Sequence, residues 1–297
     1  HDGVIAYGGG SALDAAKAIA LMVGQDRPLW DFVDEGDNWT RVNEAGMVPV
    51  VAVPTTSGTG SEVGRASVIT DDENHIKKII FHARMLPALV IADPALTAGL
   101  PAKITAATGM DALSHNLEAY CAPGFHPMAR GIAVEGMALI KDSLVAAVED
   151  GSDMAARARM MAASCMGATA FQRGLGGMHA LAHPLGALYD AHHGMLNAIL
   201  MPYVLVANKP AIEGILGDLA RCLDLKDHSF QGALDWVLEL RQAVGIPHDL
   251  AAIGIDAAQS AKVGAMAVED PSAGGNPIQF SAAEYAALFE RAVNGTL

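Results

Sequence analysis

The chain changes character once, near residue 100, and that change restricts its fold more than any other feature. Before it, short apolar, β-branched runs at 4–7, 48–53, 66–70, 77–81 and 89–92 alternate with glycine-rich or acidic turns, which reads as a set of buried and hairpin strands. From Pro101 onward such runs vanish. Segments 104–120, 127–147, 153–171, 211–222, 230–243, 256–268 and 281–294 instead carry apolar residues at helical spacing. The expected architecture is an α/β, Rossmann-like domain over residues 1–100 followed by an all-helical domain over residues 101–297.

A chain of 297 residues with 52% hydrophobic and 18% charged residues buries a sizeable core, which excludes disorder and repeat-fibre classes. Its formal charge of −14, with no basic cluster, would repel a phosphate backbone, so nucleic acid is excluded as a partner. Cys121, Cys165 and Cys222 are widely spaced and form no CxxC pair, so neither a disulfide framework nor a thiolate zinc site is expected, and a cytoplasmic location fits. No secretory leader opens the sequence, and the longest apolar stretch, 195–207, contains Asn197 and Pro202 and reads as too short to cross a bilayer. A soluble protein without a membrane partner is expected, with enough apolar residues to allow a homo-oligomer. The Met154, Met160, Met161 and Met166 stripe reads as helix core.

The first strand runs into Gly8-Gly9-Gly10-Ser11 and then an Ala-rich helical pattern over 12–23. Glycines at a strand end let backbone N–H groups approach an anion, and the helix adds its positive end, so this turn suits a pyrophosphate. The same glycines also suit the geometry of any strand-to-helix turn. A second strand end carries Thr55, Thr56, Ser57 and Thr59, at the edge where open α/β sheets bind ligands. A doubly wound fold normally holds more strands than are present, so an N-terminal segment of earlier βα units is expected to be missing from the chain as given.

Asp111 and His115 stand four apart in a helical pattern, which puts a carboxylate and an imidazole on one face. His179 and His183 repeat that spacing, and His192-His193 follow soon after, all among Ala, Leu and Met. Burying these polar groups is costly unless a shared cation removes the cost. Imidazoles with a carboxylate suit Fe2+ or Zn2+ rather than Ca2+ or Mg2+. The other histidines, His1, His75, His82, His126, His228 and His248, read as ordinary surface residues.

Several stretches, taken in order, are shared with one group of enzymes: Gly8-Gly-Gly-Ser11 with Asp14 and Lys17, Pro54-Thr-Thr-Ser-Gly-Thr-Gly-Ser-Glu62, Thr108-Gly-Met-Asp-Ala-Leu-Ser-His115 with Glu118-Ala-Tyr120, His179-Ala-Leu-Ala-His-Pro-Leu-Gly186, His193-Gly194 and Glu269-Asp-Pro-Ser-Ala-Gly-Gly-Asn-Pro277. Over essentially its whole length the chain resembles the iron-containing (group III) alcohol dehydrogenases, related in fold to glycerol dehydrogenase and dehydroquinate synthase. The resemblance implies metal ligands at Asp111, His115, His179 and His193, with His183 at the position associated with substrate and proton relay. It implies pyrophosphate contacts at Gly9, Gly10 and Ser11, and nucleotide contacts at Thr55, Thr56 and Thr59, with Lys77 and Leu96 as outlying members. His192 departs from the proline common before the last ligand. The earlier βα units that carry the ribose-reading acidic residue are lacking, so both NAD and NADP fit.

The implied reaction interconverts a small alcohol and its aldehyde or ketone. An alcohol proton has a pKa of about 16 and a free histidine about 6.5, a gap worth roughly 13 kcal/mol at 1.36 kcal/mol per unit. Histidine alone cannot span it, whereas a divalent cation lowers the pKa of a coordinated water to about 7. Three other readings stand beside this one. A zinc hydrolase is suggested by the HxxxH spacing, but its general-base glutamate is replaced by Ala180. A zinc-dependent polyol or glycerol dehydrogenase would share the fold. A non-catalytic metal-binding protein would follow if the missing N-terminal units removed the adenosine pocket.

Overall fold

A computed structural model of the chain describes residues 1–74 and 76–297. Strands β1 (Val4–Gly8), β2 (Val50–Pro54) and β5 (Leu89–Val90) form a parallel sheet in the order β1-β2-β5, with Val4 opposite Val50 and Val51 opposite Leu89. Parallel neighbours need a crossover, and helix α1 (Gly10–Met22) supplies it. Leu13, Ala16 and Ala20 of α1 pack on Ala6, Val50 and Ala52, the small alanines letting helix and sheet approach closely. The opposite face is open, with Ile5, Tyr7 and Leu89 exposed. Strands β3 (Ala66–Asp71) and β4 (Ile76–Phe81) form the expected antiparallel hairpin, Ala66 opposite Phe81, and Ile80 packs with Leu21, Phe32, Val42 and Met85 in a second small core.

The rest is helical: α2 (Ala102–Cys121), α3 (Pro127–Glu149), α4 (Met154–Ala170), α5 (Gly177–Tyr189), α6 (His193–Cys222), α7 (Phe230–Ala243), α8 (Ser260–Glu269) and α9 (Ala282–Asn294). One continuous core joins them, from Ala106 to Val293. Helix α2 lies at its centre, buried on nearly every face from Thr105 to Cys121, and packs on α3, α4 and α6. Each fully buried side chain such as Met110 or Leu113 contributes about 1.5–3 kcal/mol. Met160 and Met161 join the core, whereas Met154 is 37% exposed at the start of α4.

Three expectations need correction. Helix α5 and the first half of α6 lie outside the segments read as helical, because Pro184, Pro202 and Pro210 interrupt them and burial all round removes the amphipathic period. Helix α6 is, by length and composition, apolar enough to cross a bilayer, contrary to the reading of 195–207, and more than half of its most apolar window is buried within the protein. Among the histidines assigned to the surface, His1, His126, His228 and His248 are exposed, but His82 is only 2% exposed. It follows β4 and accepts the Arg84 N–H at 3.1 Å, capping a short turn. His75 lies outside the described residues.

Candidate metal centre and adjoining cleft

Three helices converge on one point. Asp111 and His115 stand one turn apart on α2, His179 and His183 one turn apart on α5, and His193 is the first residue of α6. Gly194 makes the convergence possible: a Cβ there would lie 2.5 Å from the Ala107 carbonyl oxygen and 3.1 Å from Asp111 Cβ. The first turn of α6 therefore rests directly on α2. One donor atom from each of Asp111, His115, His179 and His193 falls within 4.8 Å of the others. Four ligands about 2.1 Å from one ion stand about 3.4 Å apart in a tetrahedron, so a small contraction brings this set to bonding distance, and its N3O chemistry suits Fe2+ or Zn2+. The imidazoles of His115 and His179 stack with centroids 4.8 Å apart, and His183 stacks on His193 at 5.4 Å.

A second layer of contacts sets which ring nitrogens face the cluster. His115 donates from Nδ1 to the Gly58 carbonyl at 3.2 Å, and His179 Nδ1 meets Glu118 Oε2 at 2.7 Å. Both rings thereby turn Nε2 lone pairs toward the shared point, as ligating histidines do. Glu118 is itself held by the Met178 N–H at 2.7 Å. Burial pushes the Glu118 carboxyl up to about 7, against the opposing pull of backbone donors at Gly176 and Met178. Burial first, and neighbouring imidazoles second, hold His179 and His193 well below the usual histidine range, so both stay neutral and able to ligate. His183 differs in its partner: its Nδ1 lies 2.8 Å from Asp270 Oδ2. The imidazole hydrogen bond and charge hold Asp270 below the ordinary carboxylate range despite its burial.

A cleft of about 690 Å³ runs from this cluster to the glycine turn, lined by Asp111 and His193 at one end and Gly9, Gly10 and Ser11 at the other. Thr56, Thr59 and Lys77 also line it. Gly10 is needed for space, because a Cβ there would lie 2.6 Å from Thr59 Cγ2, and Gly8 adopts φ +146°, a region other residues rarely adopt. The two loops are locked together by Asp14, which accepts from Ser61 Oγ at 2.5 Å and the Val68 N–H at 3.0 Å and pairs with buried Lys17 at 3.2 Å. Lys77, on β4, is held below its ordinary range by burial, in spite of the attraction of Asp111, Asp270 and Asp14. It also borders a second cavity of about 450 Å³ that contains His183 and Asp270. Thr55 continues the strand ladder through its N–H to Gly8, and Leu96 sits on the turn Pro94–Thr97; neither lines the cleft.

Three residues in this arrangement had no role assigned from sequence. Glu118 lies three positions after His115, and Asn197, whose Nδ2 donates to Asp111 Oδ1 at 2.9 Å, lies four after His193, so helical spacing from those histidines points to both. Asp270 is 87 residues from its partner His183, and no local pattern connects them.

Comparison with known proteins places this architecture in a family. Residues 1–94 match the model of iron-containing alcohol dehydrogenases, and residues 105–293 match the C-terminal model of the Fe-containing alcohol dehydrogenase family. The chain belongs to the iron-containing alcohol dehydrogenase family. It is 40% identical to 4-hydroxybutyrate dehydrogenase of Cupriavidus necator, covering 98% of this chain and 78% of that one. It superimposes on the crystal structure of a 1,3-propanediol oxidoreductase with a TM-score of 0.92 at 36% identity, over 98% of this chain and 77% of the other. A sulfoacetaldehyde reductase from Bifidobacterium kashiwanohense, solved in complex with NAD+, matches at a TM-score of 0.87 and 29% identity, over 98% and 76%.

Proposed function

We propose that this chain interconverts a small alcohol and its aldehyde or ketone by hydride transfer to or from NAD or NADP, with a divalent cation, Fe2+ ahead of Zn2+, held by Asp111, His115, His179 and His193. The observation that carries this reading is the clustering of those four donor atoms within 4.8 Å at one end of the cleft that ends in the glycine turn. When bound, the cation supplies Lewis acidity of the kind that brings a water pKa from 15.7 to about 7.

The chain's own residues do the rest. Backbone N–H groups at Gly9, Gly10 and Ser11, with the positive end of α1, hold the pyrophosphate, and Thr56 and Thr59 border the nucleotide along the cleft. Lys77 brings an amine between the nucleotide and His183 ends. The nucleotide contacts proposed for Thr55 and Leu96 are supported by the family resemblance alone. His183, oriented through Nδ1 by Asp270, keeps Nε2 for the proton leaving or joining the substrate oxygen. Placing both reactants in one cleft supplies the orientation that hydride transfer needs. The relatives named 4-hydroxybutyrate dehydrogenase and 1,3-propanediol oxidoreductase support a small hydroxylated substrate, and the NAD+ in the sulfoacetaldehyde reductase structure supports a nicotinamide. The test is loss of reduced-nicotinamide absorbance when metal-loaded protein meets a panel of small aldehydes with NADH or NADPH. Metal-dependent oxidation is expected, and its absence with both nucleotides contradicts the reading.

A further inference from the structure

Helix α6 brings one more side chain to the cluster. Asn197 lies one turn beyond His193 on the same face and is fully buried. Its Nδ2 stands 2.9 Å from Asp111 Oδ1, 3.1 Å from His179 Nε2 and 3.2 Å from His193 Nε2. Its Oδ1, equally buried, has no partner among the described residues. A primary amide offers two N–H donors at one end and an acceptor at the other. Turning it over would set its oxygen against a carboxylate and imidazole lone pairs, so the donor end belongs where it stands. The three acceptors are not equivalent. A carboxylate oxygen has lone pairs enough to ligate a cation and accept an N–H together, whereas each imidazole nitrogen has one.

We propose that Asn197 is the positioning residue of the metal centre: one N–H fixes the Asp111 carboxylate in its ligating orientation, and the other gathers His179 and His193 Nε2 onto the same point. The bond to Asp111 is compatible with ligation, and the second N–H gives way to a cation. The inference rests on the reading of Asp111, His115, His179 and His193 as ligands.

Its test is the affinity for Co2+, measured by chelator competition, and the visible absorption bands of bound Co2+, in the full chain carrying Asn197→Ala, Asn197→Ser or His179→Ala. Loss of an outer-shell partner typically costs about 10- to 100-fold in metal affinity. Both Asn197 variants are expected to weaken Co2+ by that factor and to shift the bands, with the unfolding temperature of the chelator-treated protein little changed. Serine, which is small and admits water, carries the test if alanine does not fold. Wild-type affinity and bands in a folded Asn197 variant overturn the inference. So does loss of fold in both Asn197 variants while His179→Ala stays folded, since Asn197 would then be structural. Retention of Co2+ by His179→Ala overturns the ligand assignment itself, a separate failure.

Discussion

His179 and His183 are one helical turn apart, and their different partners give them different chemistry. His179 is 1% exposed and backed by Glu118, so its neutral ring is committed to the cluster. His183 has a side chain 13% exposed beside Asp270 and borders the cavity, a setting that suits the proton relay proposed for it. Removing a general acid or base costs typically about 10²–10⁴ in rate. His183→Ala should therefore retain bound metal, measured by elemental analysis, while turnover falls within that range. Loss of the metal in this variant would show that His183 belongs among the ligands.

At the scale of elements, the hairpin and the helix junctions behave as separate devices. Asp71 closes β3–β4: it accepts from Asn74 Nδ2 at 2.8 Å and pairs with Lys78 at 2.7 Å, and these contacts, the Lys78 one first, lower its pKa to about 2. A folded-state pKa below the unfolded value means that this stabilisation is fully present above about pH 4 and is lost as pH falls toward about 2. Asp71→Asn should flatten that part of the stability-against-pH curve, followed by denaturant melts between pH 2 and 5; an unchanged slope would remove Asp71 from the acid response. Strands and amphipathic helices such as α9 announce themselves by period, and Asp111/His115 and His179/His183 by i,i+4 spacing. Helix α5 and the first half of α6 do not, because they carry no exposed face and contain proline; neither does the contact of Gly194 with α2, which depends on how the helices cross. Glu118 and Asn197 become legible by spacing only after His115 and His193 are singled out as candidate ligands. Asp270 needed the tertiary fold.

For the whole molecule, the cleft draws its lining from both the α/β and the helical parts of the chain. Lys17, 2% exposed, pairs with Asp14 and donates to the Ser61 and Ala66 carbonyls, tying α1 to the second loop, while Glu62 of that loop accepts from Cys165 Sγ on α4 at 3.2 Å. Breaking a buried ion pair by removing one partner costs about 3–5 kcal/mol. Lys17→Met should lower stability by that order in urea unfolding and weaken nicotinamide binding together; a change in neither would detach this network from the cleft. The central claim is the four-ligand cation site on α2, α5 and α6. It is tested most directly by metal content after anaerobic purification, compared between the native chain and His179→Ala. The account predicts about one Fe2+ or Zn2+ per chain in the first and essentially none in a folded variant. Equal metal in both, with the variant folded, would contradict it.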